Sequence, residues 1–488
     1  MDAEEWTTYV NESFALSLVR AKEDEESLSP EECYDGFHPT FTYPIFGDEQ
    51  KVYGYKGLRI DLKFASASLK QYLKISYDKR LPPSSAVDDI EAKLLEAGVL
   101  LPDHSKDEEA FQRQLKEEST TFKPFGTKMN SYSRRISHVV RPDTASNSSW
   151  DQKPSAEPTR RTPEPDEDLE LVEFEIWHAT WKTPGFKEYH RRMQLFILLY
   201  IEGGSFIKED EEEWEFAILY EKRQRKHTPD VWTYHFIGYS TLFPFYCYPE
   251  KIRLRISQFV ILPPYQQEGH GSALYSTIYQ HVLTSPHIAE LTVEDPAEAF
   301  EDLRDRNDLK MLLNHEPFMR EALGDAQTTT HGGPVRNRPN NNTYTAHQHN
   351  HGHHSTHHHT HHPVHHTHAY STHSRRHGDG ANGVGARKRQ GEGKLMPPTD
   401  KVWAAKWKGE FKIAQRQFQR LVEMLILKFI DDTDPVALKR YRIQVKDRLY
   451  RFNFEALTQL EQKERQAKLE ETFQIVKKDY IRILNLIH

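Results

Sequence analysis

Hydrophobic positions at Leu274, Ile278 and Val282 recur every four residues, which predicts a helix from Ser272 to Leu283 with one buried stripe. On either side the pattern shortens to β-branched runs, RLRISQFVIL from Arg253 to Leu262 and AELTVED from Ala289 to Asp295, both read as strands. Strand, crossover helix and strand in this order predict a parallel βαβ unit, with its ligand at the carboxyl end of the first strand. Upstream, order is expected to resume near Leu169, with LVEFEIWHATW as a strand and FKEYHRRMQLFILLYIEG as a helix with an apolar face. Trp214 to Glu221 and Trp232 to Leu242, separated by the charged turn KRQRKHTPD, predict a hairpin. Between Phe37 and Leu81 the runs FTYPIF, KVYGY, LRIDLKF and YLKISY, broken by glycine turns, predict a small sheet. From Lys401 onward KWKGEFKIAQRQFQRLVEMLILKFI, VALKRYRIQVKDRLYRF and a long charged stretch read as three helices, with Asp434-Pro435 between the first two. The fold class is therefore α/β (α+β), with a mixed sheet and a helical C-terminal region.

Two stretches break this pattern. Residues 104–168, with SYSRR, TASNSS and PEPDED, are polar and proline-bearing, and predict a largely disordered linker flanking short helical pieces. Residues 327–394 are low-complexity and hold more than half of the 28 histidines, with Asn, Thr, Ser and Gly in the gaps. The organisation predicted is an N-terminal domain over 1–103, the linker, a core over 169–326, the histidine-rich insertion, and a helical domain over 395–488. A hydrophobic share of 37% and 27 prolines in 488 residues fit globular parts carrying long segments that cannot bury enough surface to order themselves. The net charge of -8 argues against a general nucleic-acid binder, so no direct DNA binding is expected, and it is compatible with a basic substrate. With Cys33 and Cys247 the sole cysteines, neither a disulfide framework nor a cysteine zinc site is expected. The acidic opening MDAEEWTTYV and the lack of an 18-residue apolar run predict a soluble intracellular protein with no membrane span.

Between the predicted strand and helix stands Gln266-Gln267-Glu268-Gly269-His270-Gly271-Ser272, the pattern Q-x-x-G-x-G. Glycines there let backbone N–H groups approach an anion, and the helix N-terminus adds partial positive charge, so the loop can cradle a pyrophosphate. Leu274 stands where a Rossmann fingerprint needs Gly or Ala, and the Gly-Lys-Ser/Thr of a Walker loop is absent. The plainer reading of the same residues is a glycine turn joining strand to helix.

RLRISQFVILPPYQQEGHGSALYSTIYQ followed by LTVEDPAEAFEDLRDRND resembles the catalytic subunits of type B histone acetyltransferases, in the GNAT superfamily of N-acetyltransferases. FHPTFTYPIFGDEQKVYGYKGL, TPGFKEYHRRMQLFILLYIEGGSFI, LKRYRIQVKDRLYRFN and QAKLEETFQ resemble the same family, in family order. The resemblance implies a GNAT core with a small N-terminal domain, and acetyl-CoA as co-substrate with no metal required. Residue by residue, it implies that Phe259, Val260, Ile261, Gln266, Gln267, Glu268, Gly269, His270, Gly271, Ser272, Ala297 and Arg306 contact acetyl-CoA. Glu294 aligns with the family's catalytic glutamate in the EDP motif, and Asp295 and Glu202 match acidic positions available for proton removal. Asp48, Gln50, Phe243, Pro244 and Phe245 would line a groove for a histone tail, with Gln50 departing from an acidic residue of some relatives. The substrate implied is a lysine in the N-terminal tail of free, newly made histone H4, linked to chromatin assembly. The implied partner is a histone-binding WD-repeat propeller subunit, and the implied localisation is nucleus and cytoplasm.

A small-amine N-acetyltransferase of the same superfamily and a non-catalytic histone-chaperone partner stand as alternatives. Without its neighbours, Glu294-Asp295-Pro296 reads as a strand-ending turn, Asp48 as a Gly-Asp turn residue, and Glu209 to Glu213 as a solvated charge run. The histidine tract could bind metal weakly or act as a pH-dependent polycation, but repetitive expansion in a tolerated loop accounts for it as well. Arg387-Lys388-Arg389 is a faint import signal.

Overall fold

A computed structural model of the chain describes residues 3–29, 32–82, 85–135, 171–324 and 393–487. Near the N-terminus, β1 (Phe14–Val19) pairs in parallel with β2 (Arg59–Ala65), which pairs antiparallel with β3 (Gln71–Ser76). The buried–intermediate alternation of β1 is what a sheet with one face on a core requires. Helix α1 (Glu108–Thr121) follows, capped by the Asp107 carboxylate accepting from Ala110 N, and then β4 (Thr127–Arg135). These last two elements lie inside the stretch read from sequence as largely linker. The strand reads TKMNSYSRR, polar on both of its faces, so no apolar alternation marks it in the sequence. Residues 136–168 of that stretch, and nearly all of the histidine-rich segment with Arg387-Lys388-Arg389, lie outside the described residues.

The core sheet is completed by β5 (Leu171–Thr180), β6 (Glu215–Gln224), β7 (Trp232–Cys247), β8 (Lys251–Ile261) and β9 (Ile288–Val293), in the spatial order β9-β8-β7-β6-β5-β4. Every neighbouring pair is antiparallel except β8–β9, which is parallel as the βαβ reading requires. The predicted helix between β5 and β6 is divided at Gln194 into α2 (Phe186–Met193) and α3 (Leu195–Tyr200). The crossover helix α4 (His270–Thr284) buries Leu274, Ile278 and Val282 completely. The two sheets are bolted together by buried charge: Arg20, just after β1, donates to Glu221 on β6 at 2.9 and 2.8 Å. Burial would raise the Glu221 carboxyl, but the guanidinium groups of Arg20 and Arg223 hold it well below the usual carboxylate range.

After β9 come α5 (Glu298–Asn314) and α6 (Glu316–Leu323), and beyond Gly393 α7 (Lys401–Glu410), α8 (Gln415–Phe429), α9 (Pro435–Phe452) and α10 (Gln462–Asn485). Pro435 occupies the first turn of α9, with Asp434 as its N-cap accepting from Val436 and Ala437. The stretch from Lys406 to Ile430, predicted as one helix, is two. At the break Lys412 has φ 49° and its carbonyl accepts from Leu291 N at 2.9 Å, so Ile413 lies against the outer edge of β9. Pairing with an otherwise open sheet edge and burying Ile413 outweigh helix continuity there. Lys412 Nζ also donates to the carbonyls of Ser285, Val282 and Leu283 at 2.6, 2.9 and 3.3 Å, at the C-terminus of α4. The C-terminal helices brace α5: Arg420 pairs with Asp305 at 2.7 Å, and Gln417 donates to Asp305 and Asp308.

Candidate functional site

The two edges of β8 end differently. On one side it pairs with β7 along its whole length, from Cys247–Lys251 to Gly238–Ile261, skipping Ser257 at a bulge. On the other side its pairing with β9 stops at Ile256–Val293, and the last rung is Glu294 N donating to Ile256 O at 2.9 Å. Beyond that fork, Phe259, Val260 and Ile261 have a paired strand on the β7 side only. The Pro263–Tyr265 turn ends β8, as two prolines without N–H groups require. Phe259 faces the fork's far wall, its ring 4.8 Å from Phe300 on α5. An extended, amide-rich ligand could therefore add to β8 as a strand would.

Past the turn, Gln266 donates from Nε2 to Ile261 O at 2.8 Å, fastening the loop to the strand end. Gln267 has φ 63° and Gly269 φ 77°, and α4 starts at His270, so consecutive N–H groups are presented at a helix N-terminus. The glycines serve two purposes. A Cβ on Gly269 would lie 2.8 Å from Arg134 Nη2, whereas one on Gly271 would lie 2.7 Å from Leu303 Cδ1 on α5, so a side chain at either position would make its neighbour shift. The His270 side chain is turned into the core, its Nδ1 2.8 Å from Tyr132 Oη and its ring 4.6 Å from Phe174, leaving its backbone N–H for the loop. Ser272 Oγ accepts from Asn307 Nδ2 at 3.1 Å; Asn307 and Arg134 were not singled out from sequence. Asn307 is 35 residues from its partner and Arg134 more than a hundred from Gly269, and no local pattern marks such contacts. Glu268, exposed, has its Oε2 3.6 Å from His270 Nε2. Arg306 is half-buried on α5, and Ala297 caps that helix's start without a side-chain bond.

Of the carboxylates, Glu294 is exposed at the fork and pairs with Arg255 Nη2 at 3.1 Å. Asp295 follows with φ 31°, a conformation costly for a residue with a Cβ. The same Arg255 lies over the Phe245 ring at 4.3 Å, and Phe245 packs on Phe243 at 4.9 Å, so this aromatic strip adjoins Glu294 through one guanidinium. Pro244 stands between them, paired with Leu254. Glu202 lies exposed on the turn after α3. That turn is tied to β8 by Gln258 Nε2 donating to Ser205 O, and to the N-terminal segment by Gly203 N donating to Tyr43 Oη, each at 2.8 Å. Tyr43 opens the short helix Tyr43–Phe46 that precedes Asp48, which is exposed on the following turn. Gln50, with φ 53°, accepts from Thr42 Oγ1 at 3.1 Å and closes that turn. Within the Glu209 to Glu213 run, Glu209 already pairs with Arg191 and Glu211 accepts from Trp214. No cluster of three His, Cys, Asp or Glu side chains suited to a metal occurs among the described residues.

Residues 6–202 match the family described as histone acetyl transferase HAT1 N-terminus, and residues 388–431 match fungal HAT1, C-terminal. A histone acetyltransferase type B catalytic subunit of Cryptococcus neoformans is 42% identical over 99% of this chain and 98% of its own length. One of Mycosarcoma maydis is 36% identical over 97% of this chain and 87% of its own. Another, of Rattus norvegicus, is 31% identical over 65% of this chain and 67% of its own. With that identity running across fold and fork alike, the chain belongs to the family of histone acetyltransferase type B catalytic subunits.

Proposed function

We propose that the enzyme transfers acetyl from acetyl-CoA to a lysine Nε in the N-terminal tail of free, newly synthesised histone H4, ahead of chromatin assembly. The observation that carries this reading is the fork, where β8 parts from β9 beside Glu294 and leads into the glycine loop. Phe259, Val260 and Ile261 would pair with the pantetheine arm, and the N–H groups of Gln267 to Ser272 would hold the diphosphate, with Ala297 and Arg306 on the α5 side. At pH 7 a lysine of pKa about 10.4 must give up its proton at a cost of about 4.6 kcal/mol. Glu294 takes that proton, with Asp295 and Glu202 as further acceptors. Attack is direct within a ternary complex, and strand-end N–H groups stabilise the developing oxyanion. Asp48, Gln50 and the strip Phe243 to Phe245 hold the tail, Asp48 by pairing with a basic side chain. A WD-repeat propeller subunit delivers the histone, and the complex works in nucleus and cytoplasm. The test is to incubate the protein with free histones and labelled acetyl-CoA and map the modified lysines. Label confined to small amines, or to histones other than H4, would refute the substrate assignment.

A further inference from the structure

Strand β4 runs along α4 and touches it with alternate residues of one face. Asn130 Nδ2 donates to Thr277 Oγ1 at 3.0 Å, Tyr132 Oη meets His270 Nδ1 at 2.8 Å, and Arg134 comes next, two residues further on. The contacts climb from the middle of the helix to its N-terminus, so the period of two that defines a strand delivers the Arg134 guanidinium onto Gly269. Its two terminal nitrogens lie 2.8 and 2.9 Å from where a Cβ on Gly269 would stand, so the missing side chain is what admits them. The guanidinium lies 5.2 Å from the centre of the Tyr132 ring, which helps hold it in place, and it forms no ion pair among the described residues. The glycine loop itself carries an acid, Glu268, and a histidine whose ring is buried. A helix N-terminus supplies the equivalent of only about half a positive charge, against about two negative charges on a diphosphate.

We infer that Arg134 is a co-substrate-binding residue: its guanidinium forms the cationic wall of the glycine loop and pairs with the diphosphate of acetyl-CoA. The inference rests on the reading of Gln266 to Ser272 as the phosphate loop. A forked guanidinium matches two phosphate oxygens at once, which an ammonium cannot do. A strand outside the βαβ unit thus completes the site.

The test compares kcat/KM on free histone for native protein, Arg134→Ala and Arg134→Lys with three donors: acetyl-CoA, acetyl-CoA lacking its 3′-phosphate, and S-acetylpantetheine, which has no phosphates. Arg134→Ala should lower kcat/KM about 10- to 100-fold with the first two donors, mainly through KM, and leave S-acetylpantetheine unaffected. Arg134→Lys should recover part of the loss. Equal losses with all three donors, or none with any, would overturn the inference, since the side chain would then be structural or idle. A loss that disappears with the donor lacking the 3′-phosphate would move the contact to that phosphate and overturn the diphosphate pairing. Gly269→Val separates the underlying reading: if it leaves acetyl-CoA binding unchanged the loop assignment itself fails. If it abolishes binding while Arg134→Ala does nothing, only the role of Arg134 fails.

Discussion

Glu294 leaves the sheet at the rung where β8 and β9 stop pairing, and its carboxylate is held by Arg255. Glu294→Gln keeps the shape and loses the proton acceptor, so kcat near neutral pH should fall by about 10²- to 10⁴-fold with acetyl-CoA affinity unchanged. Raising the pH should restore part of the rate, because more of the substrate amine is then already neutral. Full activity with an unaltered pH profile, alone and combined with Asp295→Asn and Glu202→Gln, would remove these carboxylates from the mechanism. At this scale the sequence was most readable where chemistry is local. Glu294 and Gly269 stand in short motifs that can be picked out from neighbouring residues alone, whereas Arg255 meets Glu294 because its strand pairs with a distant one, Arg255 lying opposite Thr292. The distance from Arg255 to its partner is a property of the sheet, and nothing in the run RLRIS announces it.

Elements were legible wherever burial imposes a period. Strand, helix and strand from Lys251 to Val293 appear within a few residues of their predicted bounds, because α4 shows its apolar stripe plainly and β8 a continuous β-branched run. Strand β4 escaped because its inward residues are Asn130, Tyr132 and Arg134, which pack on a helix through polar atoms. The start of α4 offers a test at this scale. Gly269 at φ 77° is easy for glycine and costs a β-branched residue about 1–3 kcal/mol, and a valine would also push on the Arg134 guanidinium. Gly269→Val should therefore weaken acetyl-CoA binding by about tenfold or more in calorimetry, while histone binding is retained. Unchanged affinity would show that the loop does not hold the donor.

Across the whole molecule, α5 links the fork to the C-terminal helices through a buried polar knot. Asp308 accepts from Tyr275 on α4 at 2.7 Å and from Gln417 on α8 at 3.0 Å. Burial pushes its carboxyl up to about 6, against the opposing pull of Arg304, Tyr275 and Gln417. The folded state then holds this proton more tightly than the unfolded chain, so Asp308's contribution to stability falls as pH rises from about 4 to about 6 and is level above. Comparing melting of native protein with Asp308→Asn across that window should show the native protein losing on the order of 3 kcal/mol relative to the variant. A difference that does not vary with pH would contradict this. Residues 325–392 join two points already side by side, for Leu395 N donates to Ala322 O at 3.0 Å and Lys394 N to Glu321 O at 3.2 Å. Replacing them with a short Gly-Ser linker should preserve turnover and not lower the melting temperature, since a shorter loop costs less entropy to close. Lost turnover would assign the segment a catalytic part.

Lys412 gives the order of assembly a direction. The ammonium that closes the end of α4 and the carbonyl that pairs with β9 belong to a residue made 127 positions after Ser285, beyond the histidine tract. At roughly 5–20 residues per second a ribosome needs about 6–25 s to cross that interval. Throughout that time the nascent sheet carries an open edge at β9, and the helix that begins at the glycine loop has no cation at its far end. A chain ending before Lys412 would contain the fork and the glycine loop but lack the residue that closes both the β9 edge and the end of α4.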